Sequence, residues 1–174
     1  MRKKLISVIL AATLLLTMAV TLVAQEKTEV LRPNGTPGGK APEFKLKDLA
    51  GVDVSMPQDF TKKKVVILVF STTWCHYCLE EIPALKAAYD KYKGKGVEVI
   101  AVDPQESKER VQELVAKNNI TYPVLLDEKG DVARLYKIMG VPTIIFLDQA
   151  RVIKWRSSGG QQDYDSRLQE MGIR

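Results

Sequence analysis

Only two of the 174 residues are cysteines, and they stand two residues apart in Trp74-Cys75-His76-Tyr77-Cys78. At the start of a helix, that spacer brings the sulfurs close enough to close a small disulfide ring. The unpaired N–H groups of the first turn also stabilise a thiolate on the first sulfur. A pair so placed is suited to repeated oxidation and reduction. Other chemistries fit less well. A closed zinc site needs four ligands, but no further cysteine exists and His76 is the only histidine. A structural disulfide across so short a loop removes little unfolded-state entropy. A copper carrier using two thiolates and an imidazole suits Cu(I) and stays open, although it wants a further ligand.

The elements that must hold this pair can be read from the flanking pattern. Val65 to Phe70 is an unbroken run of β-formers, which predicts a central strand buried on both faces just before the dithiol. After the dithiol, Ile82, Leu85, Tyr89 and Tyr92 recur at helical spacing, with Lys86, Asp90, Lys91 and Lys93 outward and Gly94 and Gly96 closing the helix. Pro83 lies inside this helix, and its missing N–H is expected to kink it. Val97 to Val102 predicts a second buried strand. Ser107 is placed as the N-cap of a helix carrying Val111, Leu114 and Val115, and Val124 to Leu126 predicts a third strand. A short helix from Asp131 to Tyr136 follows, then strands at Thr143–Leu147 and Val152–Trp155 joined by a turn, and a closing helix from Tyr164 to Met171. Ahead of these, Phe44, Leu46 and Leu49 alternate, as do Val52 and Val54, which predicts a hairpin turning at Ala50-Gly51. Strands alternating with helices, then an antiparallel pair, imply an α/β fold around a mixed sheet.

The N-terminus sets the compartment. Met1-Arg2-Lys3-Lys4 is basic, and residues 5–24 are apolar apart from one serine and three threonines. The segment therefore reads as either a cleaved signal peptide or a retained membrane anchor, with everything after it on the outer side of the membrane. No cysteine follows it, so a lipoprotein anchor is not expected. Residues 25–40 include Pro33-Asn34-Gly35-Thr36-Pro37-Gly38-Gly39 and read as a flexible linker, leaving residues 41–174 as one domain. Three of the 26 basic residues and none of the 21 acidic ones lie in residues 1–24, so the rest of the chain is close to neutral. That balance, with no basic cluster interleaved with aromatics, argues against nucleic acid as a partner.

These residues together resemble the TlpA/ResA-type branch of the thioredoxin superfamily. The resemblance is carried by Ala41-Pro42-Glu43-Phe44, by the strand running into Trp74-Cys75 and Cys78, and by Glu81 and Pro83. It extends through Lys95-Gly96-Val97-Glu98-Val99-Ile100-Ala101-Val102, Tyr122-Pro123-Val124-Leu125-Leu126-Asp127 and Gly140-Val141-Pro142-Thr143. It implies a thioredoxin fold, a mixed central sheet flanked by helices, with an N-terminal hairpin and an inserted helix-strand unit between Ser107 and Leu126.

The resemblance also implies a mechanism. Cys75 is expected to be the attacking thiolate, Cys78 the resolving thiol, and Glu81, three residues further along the helix, the group that takes or returns the resolving thiol's proton. Glu80 is expected to be solvated. Pro142 is expected to be the cis-proline facing the dithiol, leaving Val141 to pair with a substrate strand. Trp74, His76 and Tyr77 are the remaining substrate-facing candidates, whereas Trp155 reads as sheet packing. No cofactor and no metal are called for.

The partners implied are a disulfide-containing client protein and a membrane thiol donor, in the periplasm or at the extracytoplasmic face of the cytoplasmic membrane, with cytochrome c maturation as one setting. Two departures bear on direction. The spacer lacks a proline before Cys78, and a protonated His76 near Cys75 would make the couple more oxidising. Val69 stands where thioredoxin itself keeps a buried aspartate. A thiol oxidase or isomerase therefore stays open as an alternative. So does a peroxidase, because Thr72-Thr73-Trp74-Cys75 loosely echoes a Thr-x-x-Cys peroxide site.

Overall fold

In the computed structural model, which describes residues 36–160 and 162–174, the run Val65–Phe70 forms strand β3, and all six of its side chains are buried. A strand buried on both faces needs neighbours on both edges and layers above and below, and the remaining elements supply them. In chain order they are β1 (Phe44–Asp48), β2 (Asp53–Met56), β3, α1 (His76–Tyr92), β4 (Val97–Pro104), α2 (Lys108–Asn118), β5 (Val124–Asp127), α3 (Asp131–Leu135), β6 (Thr143–Asp148), β7 (Ile153–Ser158) and α4 (Tyr164–Glu170). The seven strands make one mixed sheet in the order β2-β1-β5-β4-β3-β6-β7. The parallel pairs β3–β4 and β4–β5 are bridged by α1 and α2, as parallel neighbours require, and the other pairs are antiparallel.

The pleat sends alternate side chains of β3 into two cores. Val65, Ile67 and Val69 pack with Leu85, Ala88 and Tyr92 of α1 and with Tyr164 and Leu168 of α4. Val66, Leu68 and Phe70 pack on the opposite face with Phe44, Met56, Phe60, Val132 and Tyr136. Burial of each such aliphatic or aromatic side chain contributes about 1.5–3 kcal/mol relative to exposure, so both layers are needed to hold the strand. Val69 thus sits in an apolar layer.

The expected hairpin is present, with Phe44 opposite Met56 and Gly51 at φ 86° in its turn. The Asp48 carboxylate accepts from the N–H groups of Ala50 and Val52, which closes that turn. Helix α1 runs through Pro83 without interruption. Ser107 caps α2, accepting from the Arg110 N–H. Strand β7 runs on to Ser158, beyond the expected end at Trp155, because backbone pairing with β6 carries its polar end along the sheet edge. A short 3-10 turn at Gln58–Phe60, following a cis Met56-Pro57 bond, had no signal in the apolar pattern.

The chain is already hydrogen-bonded to the start of β7 at Gly38 and Gly39, and Lys40 bridges Val152. The expected signal or anchor segment, 1–24, and most of the expected linker lie outside the described residues. The domain's opening segment is further tied down by the buried Tyr136 hydroxyl, which donates to the Pro42 carbonyl at 2.7 Å. Tyr136→Phe leaves that carbonyl without its donor and should lower stability by about 1–3 kcal/mol with little change in the sheet, which urea unfolding followed by circular dichroism would measure.

Candidate active site

Register decides where the dithiol lies. Phe70, the last residue of β3, is paired with Thr143 of β6 on one side and with Val102 of β4 on the other. The segment leaving β3, Ser71 to Trp74, therefore runs beside both the turn entering β6 and the segment leaving β4. The turn into β6 contains the Val141-Pro142 bond, which is cis, while Asp103 lies near the end of strand β4 and Glu106 in the segment just beyond it.

Cys75 is the N-cap of α1. Its sulfur accepts the Cys78 N–H at 3.3 Å, so the first turn's orphan donor is satisfied by the sulfur itself. The Cys75 thiol also donates to the Val141 carbonyl at 3.5 Å. Both cysteines are free and buried, Cys75 at 8% exposure and Cys78 at 2%. Burial pushes the Cys78 thiol up to about 12, helped by its hydrogen bond with Cys75. The Thr72 backbone and the Ser71 hydroxyl hydrogen-bond to it and act in the opposite sense.

Trp74 is 70% exposed and Tyr77 is 61% exposed, so two aromatic rings stand in water on either side of Cys75 in the sequence. Met139, two residues before Val141, is also exposed. His76 is turned along the helix surface, with Nε2 3.0 Å from Glu80 Oε1. Among the described residues, no group of three or more histidine, cysteine or acidic side chains is placed to hold a metal ion.

Glu81 is buried rather than at the surface. Its Oε1 accepts the Tyr164 hydroxyl at 2.6 Å and the Gln162 N–H at 3.2 Å. These partners come from the start of α4 and the loop before it, and the Gly159 N–H bonded to Pro142 O fixes where that loop leaves β7. A Cβ added at Gly160 would lie 3.7 Å from Tyr77 and 3.9 Å from Glu81 Oε2, so this loop covers the carboxylate closely. Burial, followed by the hydrogen bond to Glu81, drives the Tyr164 hydroxyl far above its ordinary value, so it acts as a donor throughout the working range.

Two further buried acids were not among the sequence candidates. Glu106 accepts the Thr73 N–H on Oε2 at 2.6 Å and the Thr73 hydroxyl on Oε1 at 2.5 Å. Asp103 is buried against Glu106, and burial, with the hydrogen bond to Glu106 next, pushes it up to about 9, so it is protonated at neutral pH. The signal available in the sequence was an aspartate closing a buried strand with a glutamate three residues later. That pattern is indistinguishable from an ordinary strand end until the sheet places it beside Thr73.

Two expectations follow. Tyr164→Phe leaves the buried Glu81 Oε1 without its hydroxyl donor and should cost about 1–3 kcal/mol in urea unfolding. For Asp103, the native value lies above the unfolded value of about 3.9, so the native state binds more protons and stability falls as pH rises from about 4 to 9. Asp103→Asn removes that dependence, and its thermal midpoint should fall less than that of the unaltered protein between pH 5 and pH 8.5.

Comparison with known proteins agrees with this geometry. Residues 37–156 match the AhpC/TSA family. The thiol-disulfide oxidoreductase ResA of Bacillus thuringiensis subsp. konkukian is 36% identical over 125 residues, which cover 72% of this chain and 67% of that protein. The sporulation thiol-disulfide oxidoreductase A of Bacillus subtilis is 30% identical over 109 residues, covering 61% and 64%. The thioredoxin domain of a Bacteroides vulgatus thiol-disulfide oxidoreductase superposes with a TM-score of 0.71 at 27% identity, over 78% of this chain and 98% of that one. A putative DsbE thiol:disulfide interchange protein of Chlorobium tepidum gives 0.70 at 29% identity, over 78% and 94%. The chain therefore belongs to the AhpC/TSA family and, alongside the ResA-type enzymes it resembles in sequence and fold, is a thiol-disulfide oxidoreductase with a thioredoxin-like fold.

Proposed function

We propose that this enzyme reduces disulfides in client proteins of the cell envelope, cycling Cys75 and Cys78 between dithiol and disulfide. The observation that carries this reading is the asymmetry of the two sulfurs. Cys75 caps the helix, receives a backbone N–H and is the more exposed, whereas Cys78 is buried and held protonated. Cys75 attacks one sulfur of the client disulfide, and the client's other sulfur leaves as a thiol. Cys78, once deprotonated, attacks Cys75 and releases the remaining client sulfur. Glu81, buried three residues beyond Cys78 on α1, serves as the acceptor for that proton. Trp74, Tyr77 and Val141 border the approach, with the Val141 backbone offered to an extended client segment.

The reducing direction is supported by the setting of His76. Its charge, when present, is offset by Glu80, and the stabilisation of a Cys75 thiolate then falls to the helix terminus. A couple whose reduced form is less stabilised is less oxidising. The apolar segment at residues 5–24 supports export, as a cleaved signal or as a membrane tether, to the extracytoplasmic side. A membrane thiol donor there would restore the dithiol. Family analogy makes apocytochrome c the first client to test.

The deciding measurement is the reduction potential of the Cys75–Cys78 couple. A value well below about −200 mV accords with a reductase, and one near −120 mV would assign the protein as an oxidase instead. Trapping supplies the roles of the sulfurs. Cys78→Ser should accumulate mixed disulfides with clients and Cys75→Ser should not, whereas equal trapping by both would overturn the assignment.

A further inference from the structure

The mechanism so far makes no use of Asp103 and Glu106, although both are buried within reach of the loop that carries the dithiol. Glu106 takes both donors of Thr73, backbone and hydroxyl, one on each carboxylate oxygen. Such a two-point grip fixes the orientation of a loop residue as well as its position. The chain reaches Glu106 through Gln105, whose φ of 62° lies in the left-handed region, with the Gln105 N–H bonded to Asp127 O. A non-glycine residue held there costs free energy and persists where its surroundings impose it. Asp103 is hydrogen-bonded to Glu106, while its Oδ1 has no hydrogen-bond partner. A neutral carboxyl therefore lies against the gripping carboxylate. The Arg110 guanidinium lies 4.0 Å from Glu106 Oε1 and is largely in solvent.

The other end of the same loop touches the deeper sulfur. The Ser71 hydroxyl and the Thr72 backbone both hydrogen-bond to Cys78 and favour its thiolate. Ser71 is itself pinned to β4 by its N–H to the Val102 carbonyl at 3.1 Å. Thr73 is the last residue before Trp74-Cys75, and without Glu106 this end of the loop loses both of its side-chain-mediated anchors.

We propose that Glu106, braced by Asp103, is a positioning residue for the resolving step, holding Thr73 so that the Ser71 hydroxyl and the Thr72 backbone meet the Cys78 sulfur as it becomes a thiolate. The proposal rests on the reading of Cys78 as the resolving thiol. In that step Cys78 gives up its proton and its sulfur attacks Cys75. The bond between Cys75 and the client sulfur breaks, the Cys75–Cys78 bond forms, and the client sulfur leaves as a thiolate that then takes up a proton. Two electrons pass from the dithiol to the client over the whole reaction, and no further reactant is needed.

The test uses the reduced full-length protein and a symmetric nitroaryl disulfide whose thiolate is coloured. The first coloured thiolate released reports attack by Cys75, and the second reports resolution by Cys78. Glu106→Gln keeps the side-chain size but presents an NH2 to one of the two Thr73 donors. It should slow the second phase about tenfold, equivalent to about 1.4 kcal/mol, and leave the first within about twofold. Thr73→Val removes the hydroxyl arm alone and should slow the second phase by a smaller factor. If Glu106→Gln loses its native near-ultraviolet circular dichroism, Thr73→Val decides by the same criterion. Equal slowing of both phases, or no slowing of the second, overturns the proposal. Cys78→Ala separates this from the underlying reading: a second phase that persists in that variant shows that Cys78 is not the resolving thiol.

Discussion

The pairing of Phe70 with Thr143 on one side and Val102 on the other is the constraint on which the rest of the site depends. A parallel strand and an antiparallel strand flank β3, so the end of β3, the beginning of β6 and the end of β4 meet at one edge of the sheet. Three segments distant in sequence are thereby brought around the start of α1. A slip of one residue in either pairing would turn alternate side chains to the wrong core and carry Val141 or Glu106 out of reach of the loop. The apolar alternation of β3 between two cores resists such a slip, because both faces are buried.

Within that frame, the two cysteines have the same chemistry and different surroundings. Cys75 occupies the helix terminus, where a backbone N–H points at its sulfur, and Cys78 lies one turn deeper in low-dielectric surroundings that favour the neutral thiol. This difference supports the order proposed for the two sulfurs. The nearby acids are differentiated in the same way. Glu81 is held by Tyr164 and the Gln162 backbone, Glu106 by Thr73, and Asp103 by nothing but its neighbouring carboxylate, so burial keeps it protonated. Buried carboxyl groups are tolerated where donors meet them, and here the donors come from α4 and the loop before it for Glu81 and from the loop leading to the dithiol for Glu106.

Much of the architecture was legible in the chain because local patterns and burial agree. The runs at Val65–Phe70 and Val97–Val102, the Ser107 cap and the hairpin turn at Gly51 each carry their signal in a few adjacent residues. The extension of β7 to Ser158 and the 3-10 turn after Pro57 did not show, since the first is dictated by pairing with β6 and the second by packing of Phe60. At the site, the dithiol was readable from its spacing, whereas Glu81 and Pro142 were expected there through the family resemblance.

By itself, then, the amino-acid order determined a redox-active pair at a helix start, a mixed sheet behind it and a proline-bearing turn elsewhere in the chain. Only the tertiary structure decided which acids serve as buried neighbours of that pair. Glu81 finds Tyr164 across 83 residues and Glu106 finds Thr73 across 33, and neither partner lies within the reach of helical or strand periodicity. The physical reason is that a carboxylate's role depends on its desolvation and its donors. Both are properties of the assembled sheet and helices, and the same glutamate in an exposed turn would be an ordinary solvated side chain.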